Sequence, residues 1–225
     1  MKPLIHSLYQ SPMSGDEIEA KSFEIIDSEA QPNRFSPAQW AVARRMVHTS
    51  ADFNLVEQIR FSEHAIQAGI DALRAGAPIY VDSNMILSGL SMARLRRVCP
   101  DYGRDRLMCH VSDPDVIDSS KETGLPRSLY AVRKAANRLH RSIAVFGNAP
   151  VALLELNRMI IENNIIPALV IAMPVGFVHV VESKLELMSL DVPFIAIEGR
   201  RGGSPLAVST IHALCELASP AVESA

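Results

Sequence analysis

Ile143-Ala144-Val145-Phe146-Gly147-Asn148-Ala149-Pro150 is a strand that runs straight into a turn and the start of a helix. Four apolar residues in a row leave no polar face for solvent, so the strand must be covered on both sides. Gly147 and Asn148 then supply turn chemistry, and Pro150 sits where a helix can spare an N–H. The same apolar brevity recurs at Pro78–Val81, Leu107–Val111, Ala168–Met173 and Pro193–Ile197. Helical patterns follow or precede them at Glu63–Ala75, Asn84–Val98, Ser128–Leu139, Val151–Asn163, Val178–Leu190 and Ser204–Ala218. Strands that alternate with helices are joined by crossovers and pair in parallel. The pattern therefore predicts an α/β fold, doubly wound, with a mostly parallel five-stranded sheet, helices on both faces and an N-terminal helical pair.

That helical pair is announced by its caps. Ser14 with Glu17 three residues on is a capping box opening a helix over Asp16–Ala30. Ser36, Pro37 and Gln39 repeat the signal for a second helix, which carries Trp40, Val42, Ala43, Met46 and Val47. Near its end stand Arg45 and His48, three residues apart and so on one helical face. One is a permanent cation; the other belongs to the residue type that ordinarily titrates near neutrality. Together they suit the holding of an acid and the movement of a proton.

Composition narrows the class. A chain of 225 residues, 48% hydrophobic and 21% charged, can bury a large core. It is expected to form a single domain over residues 1–219 with a loose tail at 220–225. The formal charge of -3 and pI near 6.2 create no general attraction for nucleic acid or an anionic membrane. Cys99, Cys109 and Cys215 are too scattered for a zinc site, and an odd cysteine count without close pairs suits a reduced, cytoplasmic protein with no structural metal. The most apolar region, Ala168–Val181, is broken by Pro174, Gly176 and His179, so no membrane span is expected.

In open α/β sheets ligands sit beyond the carboxyl ends of the strands. There the chain places Asp82-Ser83-Asn84-Met85, Gly147-Asn148-Ala149-Pro150, Pro174-Val175-Gly176-Phe177 and Gly199-Arg200-Arg201-Gly202-Gly203-Ser204. The last combines close backbone approach, a helix start at Ser204 and two arginines, which suits a carboxylate or phosphate. It lacks the G-x-G-x-x-G spacing of a dinucleotide site, and neither a Walker loop nor a G-x-S-x-G elbow occurs in the chain. Of the histidines, His48 and His179 have a context that favours function, and only His48 has an arginine partner.

The ordered set Ser22-Phe23, Arg45-Met46-Val47-His48, Ala75-Gly76-Ala77-Pro78-Ile79, Gly147-Asn148-Ala149-Pro150, Met173-Pro174-Val175-Gly176-Phe177 with Glu182-Ser183-Lys184, and Gly199-Arg200 with Gly202-Gly203-Ser204 resembles the precorrin-8X methylmutase family. The likeness covers nearly the whole chain. It implies a cobalamin-pathway isomerase that moves a ring C methyl group from carbon 11 to carbon 12 of a corrinoid, without an organic cofactor and as a homodimer. It further implies His48 as the catalytic histidine, with Ser22, Arg45, Arg127, Gly203 and Ser204 as substrate contacts. The chain departs from the family's expected pattern at Pro126, His179 and Pro205. Two rivals stand beside this reading: a non-catalytic corrinoid or tetrapyrrole carrier, and, against the missing fingerprint, a nicotinamide-dependent oxidoreductase.

Overall fold

The computed structural model describes residues 3–220. The chain runs α1 (Ile5–Gln10), α2 (Gly15–Glu29), α3 (Pro37–Ser50), β1 (Ile59–Phe61), α4 (Ala65–Arg74), β2 (Ile79–Val81), α5 (Asn84–Gly89) and α6 (Met92–Val98). It continues with β3 (Leu107–Met108), α7 (Pro114–Thr123), α8 (Arg127–Lys134), α9 (Ala136–Leu139), β4 (Ile143–Phe146), α10 (Pro150–Asn163), β5 (Leu169–Ala172), α11 (Val180–Met188), β6 (Phe194–Ile197) and α12 (Ser204–Ala218). The tail expected at 220–225 lies, Pro220 apart, outside the described residues.

The sheet has six strands in the order β1-β6-β5-β4-β2-β3. The expected count of five is corrected by β1, an edge strand that runs antiparallel to β6 and pairs Ile59 with Ile197 and Phe61 with Ile195. Its three residues are interrupted by Arg60, so no apolar run marks them. The other pairings are parallel, as the crossover helices require. β2, β4 and β5 are buried along their whole length. The layers divide the core in two. Ile79, Val81, Val145 and Ile171 point to one face and meet α3, α4 and α12, while Tyr80, Ala144, Phe146 and Val170 point to the other and meet α8, α10 and α11.

Two expected helices are split. Asn84–Val98 breaks after Gly89, because the Ser91 hydroxyl accepts from Arg94 N–H and starts a new helix. Ser128–Leu139 bends at Ala135. Among the described residues no helix is long and apolar enough to cross a membrane.

The N-terminal pair is locked by side chains. Both capping boxes form, at Ser14–Glu17 and Ser36–Gln39. Asp27 on α2 accepts from Trp40 Nε1 at 2.8 Å and from Arg44 at 2.5 Å, both on α3. α3 then packs its apolar stripe against α12, so α2 rides on the sheet through α3.

Candidate functional site

α2 and α3 leave between them a hollow of about 410 Å³, lined by Ser22, Ile25, Ile26, Glu29, Val47, His48, Ala51 and Phe53. Its wall is mostly apolar, with Ser22, Glu29 and His48 as polar points, the composition expected where a largely hydrophobic ligand is oriented by a few groups. His48 is half-buried, and its ring meets the edge of Phe23 at 5.3 Å with an interplanar angle of 62°. Its Nδ1 is buried without a hydrogen-bond partner among the described residues. A buried ring nitrogen with no internal partner is costly, so the ring is held where it is by its neighbours and not by a hydrogen bond of its own. The Ser22 hydroxyl donates to Ile18 O at 2.7 Å, which leaves its lone pairs to accept from a ligand.

Arg45 does not share that hollow as a free cation. It is 5% exposed, and its guanidinium donates to both Glu19 oxygens at 3.1 and 2.9 Å and to Glu216. Arg94 joins the same carboxylates. The hydrogen bond from Arg45 holds the Glu19 carboxyl below its ordinary value. Arg45 lies 5.2 Å from the Phe23 ring that His48 also touches, so it stands behind the hollow and fixes α2 against α3 and α12. Arg45→Ala is therefore expected to lower stability by about 2 to 3 kcal/mol, the value of charged hydrogen bonds discounted for half-exposed partners. A fall in the urea midpoint at constant m-value checks this; an unchanged midpoint contradicts it.

The glycine-rich loop is positioned by backbone. Gly202 adopts φ 158 against the carbonyl of Met173, where a Cβ would stand 2.2 Å from the oxygen, and Gly203 N–H donates to that carbonyl at 2.7 Å. Ser204, 6% exposed, shares a 3.2 Å hydrogen bond with Ser83. Gly147 packs so tightly on its backbone that a Cβ there would lie 2.8 Å from Ser204 Cα. Gly203 and Ser204 thus frame the sheet edge and do not line the His48 hollow. Arg201 bonds Asp52 at 2.7 Å, beside a smaller recess lined by Ser50, Asp52, Val175 and Gly202. Arg127 opens α8, is exposed, and forms no ion pair among the described residues; it does not reach the hollow either. His179, exposed with φ 60, precedes α11 and is likewise outside it.

The Gly147–Ala149 loop has its own anion. The buried Asp82 carboxylate accepts from the N–H groups of Gly147, Asn148 and Ala149 at 3.1, 2.8 and 2.6 Å. Burial pushes this carboxyl up, and the three donors pull it back. An anion-binding turn filled from within is not a landing place for a substrate carboxylate. The sequence displayed Asp82 at a strand end, yet which loop it served depended on β2 and β4 being neighbours. Of the apolar members of the hollow, Ile25, Ile26 and Phe53 carry no motif, and that they meet Val47 follows only from how the helices dock.

The family model described as precorrin-8X methylmutase matches residues 17–217. A cobalt-precorrin-8 methylmutase of Leptospira interrogans is 43% identical over 214 residues, covering 91% of this chain and 94% of the relative. A precorrin-8X methylmutase of a Sinorhizobium species is 36% identical, covering 92% and 96%. The crystal structure of a precorrin-8X methylmutase from Thermus thermophilus superposes with a TM-score of 0.83 at 45% identity, covering 91% of this chain and 96% of that one.

Proposed function

Since the chain belongs to the precorrin-8X methylmutase family, an isomerase family of cobalamin biosynthesis, we propose that the hollow between α2 and α3 is where it holds the corrinoid and that His48 is the acid of the methyl migration. The observation that carries this reading is the His48 ring in the wall of the hollow, set among Ile25, Ile26, Val47 and Phe53 with Ser22 and Glu29 as the other polar members. A macrocycle presents a broad apolar face, and Ile25, Ile26, Val47 and Phe53 offer a matching surface. As the methyl group leaves carbon 11 for carbon 12 on ring C, the conjugation of the ring changes. A proton given by the imidazolium stabilises that change and returns to it when the product forms, so the isomerisation has no net proton balance. Ser22 accepts a hydrogen bond at the ligand's edge. Arg45 acts from behind, by holding the two helices. The isomerase names of the relatives do not favour a carrier that lacks this chemistry.

The reading extends to a second copy. Leu8, Tyr9, Met13, Ile18 and Ile25 on or beside α1 and α2 are each at least 42% exposed, and Ile25 is also part of the hollow's wall. A homodimer that covers this face closes over the ligand as well. A dimer mass by light scattering is the expected result; a monomer with full turnover contradicts it. The three free thiols suit work in a reducing cytoplasm. Incubation with the methylated precursor, followed by visible absorption, tests the activity directly: an unchanged spectrum with folded protein rejects it.

A further inference from the structure

Lys184 on α11 is 0% exposed, and its ammonium forms no ion pair among the described residues. It donates to two main-chain carbonyls instead, Gly199 O at 3.0 Å and Arg201 O at 2.7 Å. Burial pulls the amine down to about 7. A buried cation without a carboxylate is an expensive way to stabilise a fold, since an apolar side chain of similar length would serve as well or better. What it supplies that an apolar residue cannot is a fixed position for the loop between β6 and α12. The carbonyl between its two acceptors, that of Arg200, is taken by Gly176 N–H at 3.2 Å, so three successive carbonyls are tied to the body of the protein.

The loop passes this order on. Arg201 ion-pairs with Asp52 at 2.7 Å. Asp52 follows Ala51, the left-handed end of α3, and its carboxylate also accepts from Asn54 N–H at 2.9 Å to begin the short turn at Phe53–Leu55. Ala51 and Phe53, its two neighbours, both line the hollow with His48. We propose that Lys184 is a positioning residue for the methyl migration: it fixes the β6–α12 loop so that Arg201 grips Asp52 and sets the wall formed by Ala51 and Phe53 against the ligand. The inference rests on the hollow being the substrate site. It concerns a residue about which the histidine chemistry says nothing.

The test is a double-mutant cycle of Lys184→Met and Asp52→Asn in the full chain, with the methylated corrinoid precursor as probe. Each single variant is expected to lose about 10- to 100-fold in single-turnover rate, the effect of a displacement of about an ångström near reacting atoms. The double variant is expected to be no slower than the slower single, because both cut one path. A Lys184→Met protein that folds and turns over at the parental rate overturns the proposal, as do losses that simply multiply. If Lys184→Met does not fold, Asp52→Asn and Arg201→Met break the path from its solvent side, and parental rates in both overturn it equally. His48→Ala, measured alongside, keeps the two readings apart: parental turnover there removes the histidine, whereas the coupling of Lys184 to Asp52 is scored without it.

Discussion

Asp82→Ala is expected to lower the unfolding free energy by about 3 to 5 kcal/mol, the largest loss of stability among the substitutions considered. Its carboxylate satisfies three successive N–H groups at the start of α10, and each one orphaned in a buried loop costs about 1 to 3 kcal/mol. Partial relief comes from losing a carboxyl that burial disfavours in its charged form, which keeps the total below the simple sum. Asp82→Asn should be nearly as harmful, because the amide must turn an NH₂ toward one of the same donors. The loss should appear as a lower urea midpoint at unchanged m-value, together with faster exchange of the Gly147–Ala149 amides. If the midpoint shift multiplied by m comes to less than about 1 kcal/mol, water replaces the carboxylate and the loop is less dry than its burial indicates.

The elements that could be read from the sequence are those whose pattern and boundary signals agree. β4 spans the apolar run Ile143–Phe146 itself, and α12 begins and ends where Ser204 and Ala218 were expected. β1 has no apolar run because an edge strand needs only one partner and tolerates Arg60, which ion-pairs with Glu198 just past the end of β6. α7 has a proper helix start in Asp113-Pro114 but no apolar stripe to announce it, since only Val116 of its residues is buried. Leu107–Val111 proved to hold only two residues in strand, as His110 turns away to meet Asp113.

The same division runs through the site. Helical spacing could put Arg45 and His48 on neighbouring positions, but it could not supply Arg45's partners, Glu19 lying 26 residues before it and Glu216 171 residues after. A spacing rule reports direction along one helix; what a charge does is decided by what another element brings to it. Lys184 shows the opposite case. Its spacing from Val180 and Leu187 already put a lysine on the buried face of α11, a local conflict of the kind that marks a functional position. The carbonyls it serves came only with the fold.

His48→Ala is the substitution expected to separate chemistry from packing. Removing a positioned general acid typically costs about 10² to 10⁴ in rate. The alanine leaves Ser22 and the apolar wall of the hollow in place, so product affinity should fall far less than turnover. Stability should hardly suffer: what is lost internally is one edge contact with Phe23, worth about 0.5 to 1.5 kcal/mol, while the removal of a buried ring nitrogen that had no partner works in the other direction. If His48 were only a packing residue, the order of effects would reverse, with melting temperature falling while the folded fraction kept its rate. Melting temperature, product affinity and single-turnover rate on one His48→Ala preparation therefore decide the assignment. Parental turnover in a folded variant sinks it, and no second histidine takes over inside the hollow, because none of the eight residues that line it is a histidine except His48. The proton would then have to come from Glu29, the one other titratable group in that wall, or from solvent.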